Sequence, residues 1–170
     1  MPDIKPIIPQ VVEPEGVVVS IEPRPMDKGS DEQRAKTVEE TGGEPSVDHL
    51  GNSNPYIDYQ SLDLIHSLQH LRSDGYDEMC FYIMGTTKEL LFRGLHMELV
   101  NARDQIKRDE IENTLEIFTR CVAYVNHIAD TWTVLGTIKP DGFNQFRDSL
   151  STASGQLSYM YRHVEFVLGN

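Results

Sequence analysis

An arginine set among phenylalanines is the first feature of this 170-residue chain that could do chemistry. Arg147 follows Phe143 and Phe146, and a guanidinium beside aromatic bulk is suited to gripping a carboxylate bidentately in a partly dry pocket. The same side chain could instead pair with Asp148 or Asp141 at a surface. Phe81, read alone, is a core aromatic. Gly85, four residues on, leaves room where a side chain would be, and in mid-helix it costs roughly 1 kcal/mol relative to alanine, so it asks for a packing or functional reason. Tyr56 and Tyr59 form a turn-flanked aromatic pair able to dock a helix. Ser154 and Gly155 suit a helix cap, and Trp132 completes an apolar seam. The histidines show no metal-binding spacing: His66, His70, His96, His127 and His163 make no HxH, no HExxH and no Cys–His cluster.

The elements that must position these residues read as helices. Gly51–Pro55 is a turn-rich hinge, after which Ser61 is placed to cap a short helix with Leu62, Ile65, Leu68 and Leu71 on one face. Ser73-Asp74-Gly75 breaks it. The next helix is expected from about Asp77 to Lys107, with Met79, Ile83, Leu90, Gly94, Met97 and Leu99 inward and Asp77 and Glu78 at its positive end. A second long helix, capped by Asp109, carries Ile111, Leu115, Phe118, Val122, Val125, Ala129 and Trp132 at alternating spacings of four and three, a seam for packing on another long helix. Gly136-Thr137 closes it. Pro140 opens a short helix bearing Phe143, Phe146, Arg147 and Leu150. A last helix presents Leu157, Tyr161, Val164 and Leu168 inward and ends at Gly169. No segment alternates like a strand. The fold class is all-α: a helical bundle of two long and several short helices.

Composition divides the chain. Residues 1–50 hold seven of the nine prolines, none of the Phe, Trp or Tyr residues, and eleven acidic against five basic side chains. Such a stretch cannot bury enough apolar surface to offset the entropy of ordering it. Residues 1–54 therefore read as a disordered, Pro-rich acidic tail, with Val17–Ile21 as a short strand that could add to a partner, and 55–170 as the helical part. The net charge of −12 argues against a nucleic-acid groove and against an anionic membrane surface. No apolar run approaches a bilayer span. Cys80 and Cys121 sit singly in helical patterns, which reads as a reduced, cytoplasmic protein.

Taken together, Asp77-Glu78-Met79-Cys80-Phe81, the W-T-V-L-G-T run from Trp132, F-R-D-S-L around Arg147, A-S-G ending at Gly155 and E-F-V-L-G-N from Glu165 to Asn170 resemble the tryptophan 2,3-dioxygenase family over about residues 55–170. The resemblance implies haem b, with its iron, and insertion of dioxygen across the indole C2–C3 bond of L-tryptophan or a substituted indole amino acid, giving N-formylkynurenine or a related product. It implies that Arg147 clamps the substrate carboxylate, that Phe143 stands where relatives carry an assisting tyrosine, and that Phe81 packs the indole. Ser154 and Gly155 would border the oxygen site, Trp132 would lie beside the haem, and Tyr56 with Tyr59 would enter a neighbouring subunit's pocket. Gly85 departs from the pattern, because most relatives carry there a histidine that hydrogen-bonds the indole N–H.

In the family the histidine that ligates the iron belongs to the C-terminal half, and none of the five histidines above aligns with it. The resemblance thus implies that the axial ligand is not in this chain and that the chain is part of an oxygenase. A second chain supplying the C-terminal half, or a homo-oligomer, would complete it, with a tryptophan-like small molecule and dioxygen as ligands. The alternative is a catalytically inactive helical binding or interaction module derived from that family.

Overall fold

The computed structural model describes residues 31–42 and 55–170. The chain divides into two compact units, residues 1–68 and 69–170. In the first, helix α1 spans Asp31–Thr41, α2 Pro55–Gln60 and α3 Leu62–Ser67. Helix α1 lies inside the segment expected to be tail, and it places Asp31 and Glu32 in its first turn, where the helix dipole favours carboxylates. The expected strand at Val17–Ile21 falls outside the described residues. Ser61 does not cap α3 as expected: it adopts a left-handed conformation (φ 52°), and its side chain makes no capping bond.

The second unit is built on two long helices, α4 (Glu78–Lys107) and α5 (Thr114–Leu135). A 3-10 turn at Ile111–Asn113 leads into α5. Helix α6 (Pro140–Asn144), 3-10 turns at Arg147–Leu150 and Gly155–Leu157, and α7 (Tyr159–Leu168) follow. Among the described residues there is no strand, and the all-α expectation holds. No helix among them is long and apolar enough to cross a membrane.

Helix α4 packs along α5 and against α7. The core joins Leu95, Leu99 and Ala102 of α4 to Ile117 and Cys121 of α5 and Val164 of α7. Each Leu, Ile or Val side chain removed from water stabilises by roughly 1.5–3 kcal/mol, which is why α4 and α5 lie side by side. Gly94 permits the close approach: a Cβ there would meet ring atoms of Tyr124 at 2.6 Å.

Three expected faces are corrected. On α5 the buried stripe is Thr114, Ile117, Cys121 and Thr131 with half-buried Tyr124 and Ile128, one position away from the seam read in the sequence. The expected seam faces outward, with Val122 60% and Trp132 63% exposed. A step of one residue turns a helix by about 100°, and α5 is apolar on both adjacent faces, so hydrophobicity alone did not separate them. The polar groups on the buried stripe are satisfied locally, since Thr114 and Thr131 donate to the carbonyls of Ile111 and Ile128 at 2.6 and 2.7 Å. On α4, Met79, Leu90 and Met97 are exposed rather than inward; on α7, Leu157, just before it, and Leu168 are exposed, while Met160 and Val164 are buried. Asp109 is not a cap; it takes a left-handed conformation (φ 61°) in the turn between the long helices, which aspartate tolerates better than most residues. Gly169 (φ 93°) closes α7 as expected, its N–H donating to the carbonyl of Phe166.

Candidate functional site

The start of α4 is fastened before any site residue appears. Buried Glu78 accepts hydrogen bonds from the backbone N–H of Arg72 and Ser73, both 2.8 Å, and from Ser73 Oγ at 2.5 Å. These bonds, led by the serine hydroxyl, hold the Glu78 carboxyl below its ordinary pKa. Ser73 Oγ also accepts from the Gly75 N–H at 3.1 Å. Gly75 sits close against the Cβ atoms of Gln145 and Phe146, and Gly142 lies against the Asp77 carboxylate. The loop before α4 is therefore keyed to the turn after α6, and Phe81, one turn into α4, is brought to Phe143 and Phe146.

The three rings form a cluster. Phe81 lies 6.0 Å from Phe143 and 5.4 Å from Phe146 between centroids, and Phe143 meets Phe146 edge-on at 5.2 Å, spacings at which aromatic pairs attract. Phe146 is fully buried and backs the other two rings. Phe81 and Phe143 instead line an apolar cavity of about 300 Å³ together with Trp132, Leu135, Gly136 and Ile138. A lining of three aromatic rings and aliphatic side chains can take a flat apolar body. A larger hollow of about 400 Å³ lies at the α4–α5 turn, but its lining is mostly acidic, carries no aromatic ring, and contains none of the expected site residues.

Of the residues singled out in the sequence, Phe81, Phe143 and Trp132 meet at this cavity from separate elements. Arg147 does not line it. It opens the 3-10 turn after α6, rather than continuing α6, and is exposed. No carboxylate among the described residues lies within ion-pair distance of it, so the surface pairing with Asp141 or Asp148 is not formed. Ser154 is a cap, its Oγ accepting from the Gln156 N–H at 3.3 Å, and Gly155 is exposed with open space about its Cα. Gly85 has no packing reason, since an added Cβ would meet nothing within 4 Å. Tyr56 and Tyr59 are exposed on α2, in the other unit.

Sequence reasoning missed Leu135, Gly136 and Ile138 as lining and Lys88 as a cation against it, its Nζ 3.9 Å above the Trp132 ring centroid. The signal for Lys88 was its place seven residues after Phe81, on the same helix face. No group of three or more His, Cys, Asp or Glu side chains suited to a metal ion occurs among the described residues.

Comparison with known proteins shows the family. A family profile for tryptophan 2,3-dioxygenase matches residues 41–170, beginning upstream of the hinge. The chain is 36% identical over 121 residues to tryptophan 2,3-dioxygenase 1 of Ralstonia nicotianae, covering 71% of this chain and 41% of that protein. It is 38% identical over 115 residues to the enzyme of Bradyrhizobium diazoefficiens (68% and 41%), and 36% over 114 residues to that of Bacillus cereus (67% and 41%). The chain thus spans about two fifths of the length of the curated relatives it matches. With the match running through α4, α5 and the aromatic cavity to the last residue, the chain belongs to the tryptophan 2,3-dioxygenase family.

Proposed function

We propose that this chain forms part of a haem-dependent oxygenase acting on L-tryptophan or a substituted indole amino acid. The observation that carries this reading is the convergence of Phe81 of α4, Trp132 of α5 and Phe143 of α6 on one apolar cavity. The names of the relatives supply the reaction class. Phe81, Trp132 and Phe143 suit the face of a flat macrocycle or of an indole. None of the six lining residues is a histidine, cysteine or tyrosine, so this cavity offers no axial donor to iron, and a second chain or a further part of the fold supplies it. When bound, haem supplies the dioxygen chemistry. The chain's own residues bind and orient: Phe81 packs the indole, and Arg147, exposed and without an ion pair, turns to the substrate carboxylate. Phe143 cannot donate to that carboxylate as a tyrosine would, a loss on the order of 1 kcal/mol. Ser154 and Gly155 border the oxygen site, and Tyr56 with Tyr59 close a neighbouring copy's pocket. With Gly85 in place of histidine, no side chain at that position accepts from the indole N–H, and monooxygenation is as open to this pocket as dioxygenation.

The test is turnover. The chain, co-expressed with the remaining part of a full-length relative and purified as a complex, is expected to oxygenate tryptophan or a ring-methylated analogue, read by product mass. Arg147→Met is expected to raise KM by roughly tenfold or more. A haem-replete complex that converts none of these substrates would sink the proposal. The outward apolar stripe of α5 favours a second reading, an interaction module whose helix face pairs with a partner and does no chemistry.

A further inference from the structure

We propose that Lys88 is the cation of the aromatic cavity and that it receives a carboxylate carried on a flat aromatic body seated against Phe81, Trp132 and Phe143. The inference rests on the reading of those rings as a ligand wall. Lys88 Nζ stands 3.9 Å above the ring centroid of Trp132, and Trp132 lines the cavity, so a positive charge is held against one residue of the wall. Phe81, Gly85 and Lys88 follow at four and three residues and share one face of α4. Between Phe81 and Lys88 the ground is open, because a Cβ at Gly85 would meet nothing within 4 Å.

The charge is unspent. Lys88 makes no ion pair among the described residues. Burial pulls its ammonium below the usual lysine pKa, against the opposing effect of Glu89. A partly desolvated cation attracts an incoming anion more strongly than a fully hydrated one. The indole face occupies one side of the ammonium and leaves N–H donors for a carboxylate oxygen. Neither Lys88 nor Arg147 is among the lining residues; Lys88 reaches the wall through its contact with the Trp132 ring. Two sources share this chemistry: a small aromatic acid, and the peripheral carboxylate of a macrocycle.

Trp132 is the only tryptophan in the chain, so its emission reports the pair directly. The full chain is titrated with phenylacetate and with neutral 2-phenylethanol, followed by Trp132 fluorescence. It is also titrated with protoporphyrin IX and with its dimethyl ester, followed by porphyrin absorbance. At least one acid is expected to bind roughly tenfold or more tightly than its neutral counterpart. Lys88→Met is expected to erase that preference and Lys88→Arg to keep it. Preference confined to phenylacetate identifies a small acid, and preference confined to the porphyrin identifies the macrocycle. Lys88→Met keeps the apolar stem, and circular dichroism of each variant confirms an unchanged fold. A native preference that survives in Lys88→Met overturns the assignment, as does equal native binding of acids and neutral partners. The ring wall fails separately: if neither acid nor neutral ligand binds the native chain, the wall and Lys88 fall together, whereas neutral binding without charge preference removes Lys88 alone.

Discussion

Gly85 and Phe146 mark the extremes of what one residue does here. Gly85 sits in the body of α4 with nothing for a side chain to collide with, so Gly85→Ala is expected to raise unfolding stability by about 0.5–1 kcal/mol in urea melts. A destabilised Gly85→Ala would mean that the space is filled. Phe146, fully buried against Phe81 and Phe143, is expected to cost about 3–5 kcal/mol on truncation to alanine by the same measurement, and to loosen the seating of both rings. The sequence marked Phe81, Phe143, Arg147 and Trp132 through spacing and resemblance, and three of the four meet at the cavity. It did not mark Lys88, because a lysine three residues beyond a mid-helix glycine looks like any solvated helix residue until α5 brings Trp132 over it.

At the scale of elements, the contacts of α4 with α5 and α7 determine both stability and its pH dependence. Gly94→Ala must displace the Tyr124 ring, and a cost of about 1–3 kcal/mol is expected in thermal melts. His96 of α4 is buried and meets His163 of α7 edge-on at 5.5 Å. Burial first, then the charges of His163, Arg103 and Arg93, pushes the His96 pKa below the ordinary value of 6.5. The unfolded chain therefore binds the proton more readily than the folded one, so the stability contribution is full above pH 6.5 and is lost as pH falls through the folded value. Tm is expected to fall on acidification below that point, and to fall less in His96→Leu; equal slopes would remove His96 from the account. The helix positions of the second unit were legible because prolines, glycines and periodicity mark them, whereas α1, in a stretch without aromatic residues, was not. The inward face of α5 was not, because two adjacent stripes are apolar and only the packing of α4 chooses between them.

For the whole molecule, the stripe of Leu115, Phe118, Val122, Val125 and Trp132 faces outward, and a contiguous apolar face of this kind is what an interaction surface presents. Light scattering after size exclusion is expected to show self-association of the isolated chain, reduced by Phe118→Ser with Val122→Ser; a monodisperse monomer in both would argue that the stripe is inert. The chain spans about two fifths of the length of each of these relatives, and the function proposed above calls for further polypeptide to supply the axial ligand. The most direct measurement is the visible spectrum of the reduced, CO-treated chain, expressed alone and together with the remaining part of a full-length relative. A sharp Soret band only in the second case is the predicted result. No band in either case, or the same band from the chain alone, would contradict the claim that this is one part of a haem oxygenase.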